Sequence, residues 1–159
     1  MNPWEMEKWR GQHISNETRK GVYMRSDAGV DEDVRGACRR FLQWMRRNYE
    51  FPVRVVIYLK KYKRIRASDG DLCTGIFYEP LDEWMKPYAY IATGDYRETL
   101  KSWGRDDALA SILMTIAHEL THYQQWLNQL RMTQRGKEWQ ATFYAGRILD
   151  EYAETTDHP

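Results

Sequence analysis

Cysteine is nearly absent. Cys38 and Cys73 are the only two in 159 residues, too few for the disulfide framework of a small secreted domain or for a four-thiolate zinc site. No apolar run approaches the ~20 residues that a membrane helix needs. The opening segment, MNPWEMEKWRGQHI, lacks the basic-then-apolar layout of a secretory signal. Together these absences predict a reducing, cytoplasmic setting with no membrane partner. Proline is sparse, at five residues, and no Pro/Gly/Ser linker, internal repeat or low-complexity tract divides the chain. The length suits a single core. A hydrophobic content of 42% with 14% aromatics excludes a disordered chain, because so many rings seek burial.

Net charge is also scarce, at +1, but it is unevenly spread. Eleven basic residues and one acidic residue, Glu50, lie between Arg35 and Arg66. Such a segment can create a local positive field on a neutral protein. It is read two ways. Arg39, Arg40, Arg46 and Arg47 fall off the apolar stripe of a helix, as a solvated face would, and the lysines of LKKYKRIR can guard a strand end against edge pairing. Alternatively the segment holds nucleic acid or an acidic protein, with Tyr58, Tyr62 and Trp44 as stacking groups.

Apolar positions Val34, Cys38, Phe41, Leu42, Met45 and Tyr49 recur at three and four, which predicts a helix over 31–49 with one buried stripe. VRVVIYL, 53–59, reads as a strand, Ser68-Asp69-Gly70-Asp71 as a turn, and CTGIFYEP as the returning strand. YAYIAT, 88–93, is a third strand. Long helices follow from Asp106 to about Gln129 and from Gly136 to about Glu154. The expected architecture is a single α+β domain over 27–159, with an N-terminal helix and a small, mostly antiparallel sheet. Residues 1–26 are expected to be an arm, which Trp4, Met6 and Trp9 could dock to the body.

Residues 114–126 read MTIAHELTHYQQW. His118 and His122 are four apart, so on a helix both imidazoles project from one face, one turn apart, and can share a metal ion. Glu119 sits ~100° round the helix, placed to act on a metal-bound water without being a ligand. This is the H-E-x-x-H pattern of zinc hydrolases. The run ALASILMTIAHELTHY contains no Lys, Arg or Asp, and Glu119 is its only acid. A helix covered on several sides would leave these groups buried at a cost of several kcal/mol, which a divalent ion offsets.

A catalytic zinc needs a third protein ligand. Gln125 and Asn128 stand where the metzincin extension requires Gly and His, so that subclass is excluded. His13 and His158 lie near the chain ends and are poor candidates. The following helix offers Glu138, Asp150, Glu151 and Glu154. Glu138, in its first turn, is favoured if the two helices form a hairpin.

HELTH followed by Glu138-x-x-Ala141-x-x-Tyr144-Ala145 resembles the small gluzincins of the ImmA/IrrE type and the minigluzincins, over roughly 105–150. The resemblance implies a zincin-like fold and zinc-dependent peptide hydrolysis. It also implies His118, His122 and Glu138 as ligands, Glu119 as general base, and YAYIAT as the sheet edge where a peptide substrate pairs. The chain departs from the pattern at Thr142, where an acid or amide is usual, and at Gln124, where an apolar residue is usual. Tyr144, Tyr123 and Tyr90 are candidates for stabilising an oxyanion. A Cys73 thiolate capping the metal is conceivable, although free cysteines are more often small buried hydrophobes. The rival reading is a catalytically weak, metal-stabilised binding module that uses the basic 35–66 face.

Overall fold

The computed structural model describes residues 1–11, 19–82 and 84–159. In chain order it runs β1 (Val22–Ser26), α1 (Glu32–Asn48), β2 (Val55–Lys60), β3 (Ile65–Arg66), β4 (Leu72–Cys73), β5 (Gly75–Tyr78), β6 (Tyr88–Ala92), α2 (Tyr96–Trp103), α3 (Arg105–Leu127) and α4 (Gln134–Thr155), with a 3₁₀ turn at Lys8–Gly11. The fold is α+β. None of the described helices is long and apolar enough to cross a membrane.

Helix α1 begins where Asp31 caps it by accepting from the Asp33 N–H at 2.8 Å. Its buried side chains are Val34, Ala37, Cys38, Phe41, Leu42, Trp44 and Met45, spaced by the helical period. The arginines 39, 40, 46 and 47 are exposed, as a solvated face requires. Trp44 is 8% exposed, which removes it as a stacking group.

The main sheet has the order β1-β2-β6-β5. β1 pairs with β2 and β2 with β6 in parallel; only β5 and β6 run antiparallel. The expectation of a mostly antiparallel sheet is therefore wrong. The turn at 68–71 closes a hairpin, but a two-residue one, with Ile65 opposite Cys73 and Arg66 opposite Leu72. The strand after it passes β2 and pairs with β6. YAYIA is consequently an interior strand, and β1 and β5 are the edges. Residues 22–26 are no part of an arm: Val22 enters the core from β1 at 1% exposure. α2 is a further element beyond those expected.

Alternation along the strands decides where the core sits. Val22, Val55, Ile57, Leu59, Ala89 and Ile91 are buried and cluster with the inner sides of α1 and α3. The residues between them lie outside that cluster. All the helices that bury sheet surface thus lie on one side. Trp4 closes one end of the core, its ring 4.9 Å from Tyr49 and its Nε1–H donating to Thr121 Oγ1 at 3.0 Å.

The α3–α4 hairpin positions the site. α3 ends at Asn128, and Gln129 reverses the chain in the left-handed region at φ 50°. Thr133 then caps α4, its hydroxyl accepting from the Gly136 N–H at 3.0 Å. So short a link sets the first turn of α4 against the last turns of α3.

Candidate metal centre

In α3, Ile112, Ile116, Leu120, Tyr123 and Leu127 are buried, as their spacing predicts, and so are Ala117 and Thr121. This anchoring holds His118 and His122 towards α4, with ring centroids 4.9 Å apart. One ligand atom each from His118, His122 and Glu138 lies within 4.8 Å of the other two. The Glu138 carboxylate bridges the pair: Oε2 is 3.0 Å from His118 Nε2 and Oε1 is 3.2 Å from His122 Nε2. Gln134 Nε2 steadies it by donating to Oε1 at 3.1 Å.

The protonation pattern around His122 follows from its neighbours. The Gln125 amide nitrogen lies 3.0 Å from the Lys137 carbonyl oxygen, a group that only accepts, so the NH₂ end must face it. The same nitrogen donates to Gln140 Oε1 at 2.9 Å. Gln125 Oε1 is then left facing His122 Nδ1 at 2.8 Å, and Nδ1 must carry the proton. His122 Nε2 faces a Glu138 carboxylate oxygen at 3.2 Å. Two acceptors at that distance attract only with a proton or a cation between them. Thr142 Oγ1 lies 3.3 Å from His118 Nδ1, and its hydroxyl can serve that nitrogen in either tautomer. Burial, followed by the neighbouring His122, lowers the pKa of His118, while Glu138 opposes them. Neutral imidazoles are the form that binds metal. Two imidazole nitrogens and a carboxylate that converge within 4.8 Å are a donor set that could hold a divalent ion such as zinc.

Glu119 is 6% exposed. Burial, and next the charge of Glu138, push its carboxyl up to about 8, against a backbone hydrogen bond from Phe77 on β5. Strand and helix approach closely here because residue 75 is glycine. A Cβ on Gly75 would stand 2.7 Å from Thr115 Cγ2 and 3.1 Å from Glu119 Oε1. The resulting open cleft of about 700 Å³ is walled by β5 on one side and by His118, His122, Glu119 and Glu138 on the other. Ala92 N–H donates to Thr74 O at 2.8 Å across β5–β6, so in this register the backbone groups of Gly75 and Phe77 point the other way, to the open edge. The sheet edge beside the cleft is therefore β5, not YAYIAT.

The remaining candidates are dispersed. Glu151 Oε2 accepts from Tyr49 Oη at 2.5 Å, and neither Asp150 nor Glu154 joins the donor group. His158 pairs with Asp106 at 3.0 Å in the first turn of α3, while His13 lies outside the described residues. None of the three tyrosines considered for the oxyanion lines the cleft. The Tyr123 hydroxyl is committed to Val53, donating to its carbonyl at 2.6 Å and accepting from its N–H at 3.1 Å. Cys73 does line the cleft. Burial raises its pKa, with Glu119 next in effect, which disfavours a thiolate there. Gln124 is buried and donates to the Glu50 carbonyl at 3.1 Å.

Sequence reasoning passed over the supporting amides Gln125, Gln134 and Gln140. For Gln125 and Gln140 a signal existed: each sits at a helical position whose neighbours in the period are buried. The basic segment is partly neutralised within the molecule. Lys63 pairs with Glu98, Arg64 with Asp95 at 3.2 Å and Lys60 with Asp27 at 3.4 Å.

No protein-family model, no curated protein and no solved structure matches the chain.

Proposed function

We propose that this protein is a zinc-dependent metallopeptidase of the small gluzincin type, with a zincin-like fold. The observation that carries the reading is the convergence of His118, His122 and Glu138 within 4.8 Å, beside a buried glutamate and an open strand edge. His118, His122 and Glu138 would hold the ion; Gln125 and Thr142 orient the two imidazoles. Bound zinc supplies positive charge that acidifies a water molecule and polarises the scissile carbonyl. Glu119 accepts the proton of the attacking water and passes it to the leaving amine. Its low exposure keeps bulk water from competing for that proton. An extended peptide can add to β5 through the outward carbonyls of Gly75 and Phe77. Both cysteines are free thiols, which supports a reducing, cytoplasmic setting.

The test is metal content by elemental analysis of protein purified without added metal, alongside hydrolysis of an unfolded protein substrate. The wild type is expected to hold about one zinc per chain, and His122→Ala and Glu138→Ala to lose it. Glu119→Gln should keep zinc and lose hydrolysis. Wild-type protein that takes up no zinc even after reconstitution, or a Glu119→Gln variant with full activity, would overturn the proposal.

A further inference from the structure

The helices leave one face of the sheet uncovered, and its chemistry differs from that of the cleft. The parallel register sets Arg25 beside Tyr58 and Tyr58 beside Tyr90, and Tyr23 beside Val56 and Val56 beside Tyr88. Across the antiparallel pair, Tyr78 faces Tyr88 and Ile76 faces Tyr90. Adjacent strand residues point to the same side, so five tyrosines share this face. None of them belongs to the hydrophobic core. Tyr23 is 39% exposed, and Tyr58, Tyr78, Tyr88 and Tyr90 are half-buried because they lean on one another. Tyr58 lies 5.9 Å from Tyr88 and 5.6 Å from Tyr90, each nearly edge-on; Tyr78 stacks on Tyr88 at 4.6 Å.

The charges on this face are of one prevailing sign. The Arg54 and Arg46 guanidiniums lie 4.5 and 5.3 Å from the centre of the Tyr23 ring. The Lys60 ammonium lies 4.8 Å from that of Tyr90. Arg25 is exposed between them. The acid held to this group is Asp27, which pairs with Lys60 at 3.4 Å and accepts from the Lys61 N–H at 3.0 Å.

We propose that the tyrosine face of the β1-β2-β6-β5 sheet binds single-stranded nucleic acid, its bases lying on the tyrosine rings and its phosphates on Arg25, Arg54 and Lys60. Unpaired bases offer π-faces that a ring can cover, and stacking tolerates any base. Base pairs in a duplex bury those faces. A purely acidic partner would need the cations but not the five rings. The surface is separate from the metal site, so it stands or falls independently of the peptidase reading.

The experiment is fluorescence anisotropy with labelled oligothymidylate and oligouridylate of about 15 nucleotides, a matched duplex, and heparin as competitor. The expected result is saturable binding of one or both single strands, with much weaker binding of the duplex. Affinity should fall as salt rises, in proportion to the phosphates neutralised. Tyr58→Ala and Tyr90→Ala should each weaken binding about tenfold or more, while Tyr58→Phe and Tyr90→Phe retain it, which separates stacking from folding damage. Arg39→Ala with Arg47→Ala, on the α1 surface, should leave affinity unchanged. Stronger binding of thymidylate or of uridylate would distinguish DNA from RNA as the ligand. No saturable binding, equal binding of duplex, heparin competing equally well against wild type and the tyrosine variants, or loss of binding only in the α1 variants would each overturn the proposal.

Discussion

Replacing Glu119 by Gln should stabilise the metal-free protein, and by an amount that depends on pH. Burial pushes the folded carboxyl up to about 8, from 4.5 for a free glutamate side chain. Between those values the native state holds a proton that the unfolded chain releases. Native protein therefore loses stability as pH rises through this window. One unit of pKa difference corresponds to about 1.4 kcal/mol, so the loss between pH 5 and pH 8 is on the order of 3–4 kcal/mol. Gln is neutral throughout, nearly isosteric, and can still accept from the Phe77 N–H. The difference in stability between Glu119→Gln and wild type should be small at pH 5 and several kcal/mol at pH 8. For a domain of this size that is a gap of about 10 °C in Tm. Thermal melts of both proteins in chelator at the two pH values measure it, and zinc should narrow the gap at pH 8 by offsetting the Glu138 charge. An equal Tm difference at pH 5 and pH 8 would refute the argument that burial holds this carboxyl protonated.

Two further outcomes follow from the geometry. Gln125→Leu removes the acceptor that fixes the His122 tautomer, and zinc affinity should drop about 10–100-fold in competition with a chelating dye; Gln124→Leu, which leaves His122 Nδ1 untouched, should not change it. Gly75→Ala forces β5 away from Thr115 and Glu119, and should cost about 1–3 kcal/mol in a denaturant melt while zinc content persists. An unchanged melt would show that strand and helix are not in close contact.

Helical periodicity was legible because it is local. The stripe of α1 and the covered run around His118 are properties of about twenty consecutive residues, and the structure buries the residues that these patterns select. Strand pairing is not local. The turn at Asp69-Gly70 does reverse the chain, yet only two residues on each side pair across it. β2 is taken on both sides by parallel neighbours, and nothing in residues 53–79 announces them. VYMRS, five residues long, was hidden for the same reason: its partner, β2, lies about thirty residues away. The site was legible in its donors and not in its supports. His118, Glu119, His122 and Glu138 stand out by type and spacing, whereas Gln125 and Gln140 are defined by which carbonyls lie opposite them, and that depends on how α3 meets α4.

The α3–α4 hairpin has a consequence for the order of events in folding. His118 and Glu138 lie only 20 residues apart in the chain, and closing so short a loop is fast and entropically inexpensive. Phe77 and Gly75, by contrast, must be delivered by an edge strand about forty residues upstream, after a sheet dominated by non-local parallel pairs has formed. Such pairings are slow. A full-length chain refolding from the unfolded state would thus bring His118, His122 and Glu138 together before the cleft beside them is complete. Formation of the donor cluster and completion of the cleft would then be separable in time, the first set by a helical hairpin and the second by the last strand to dock.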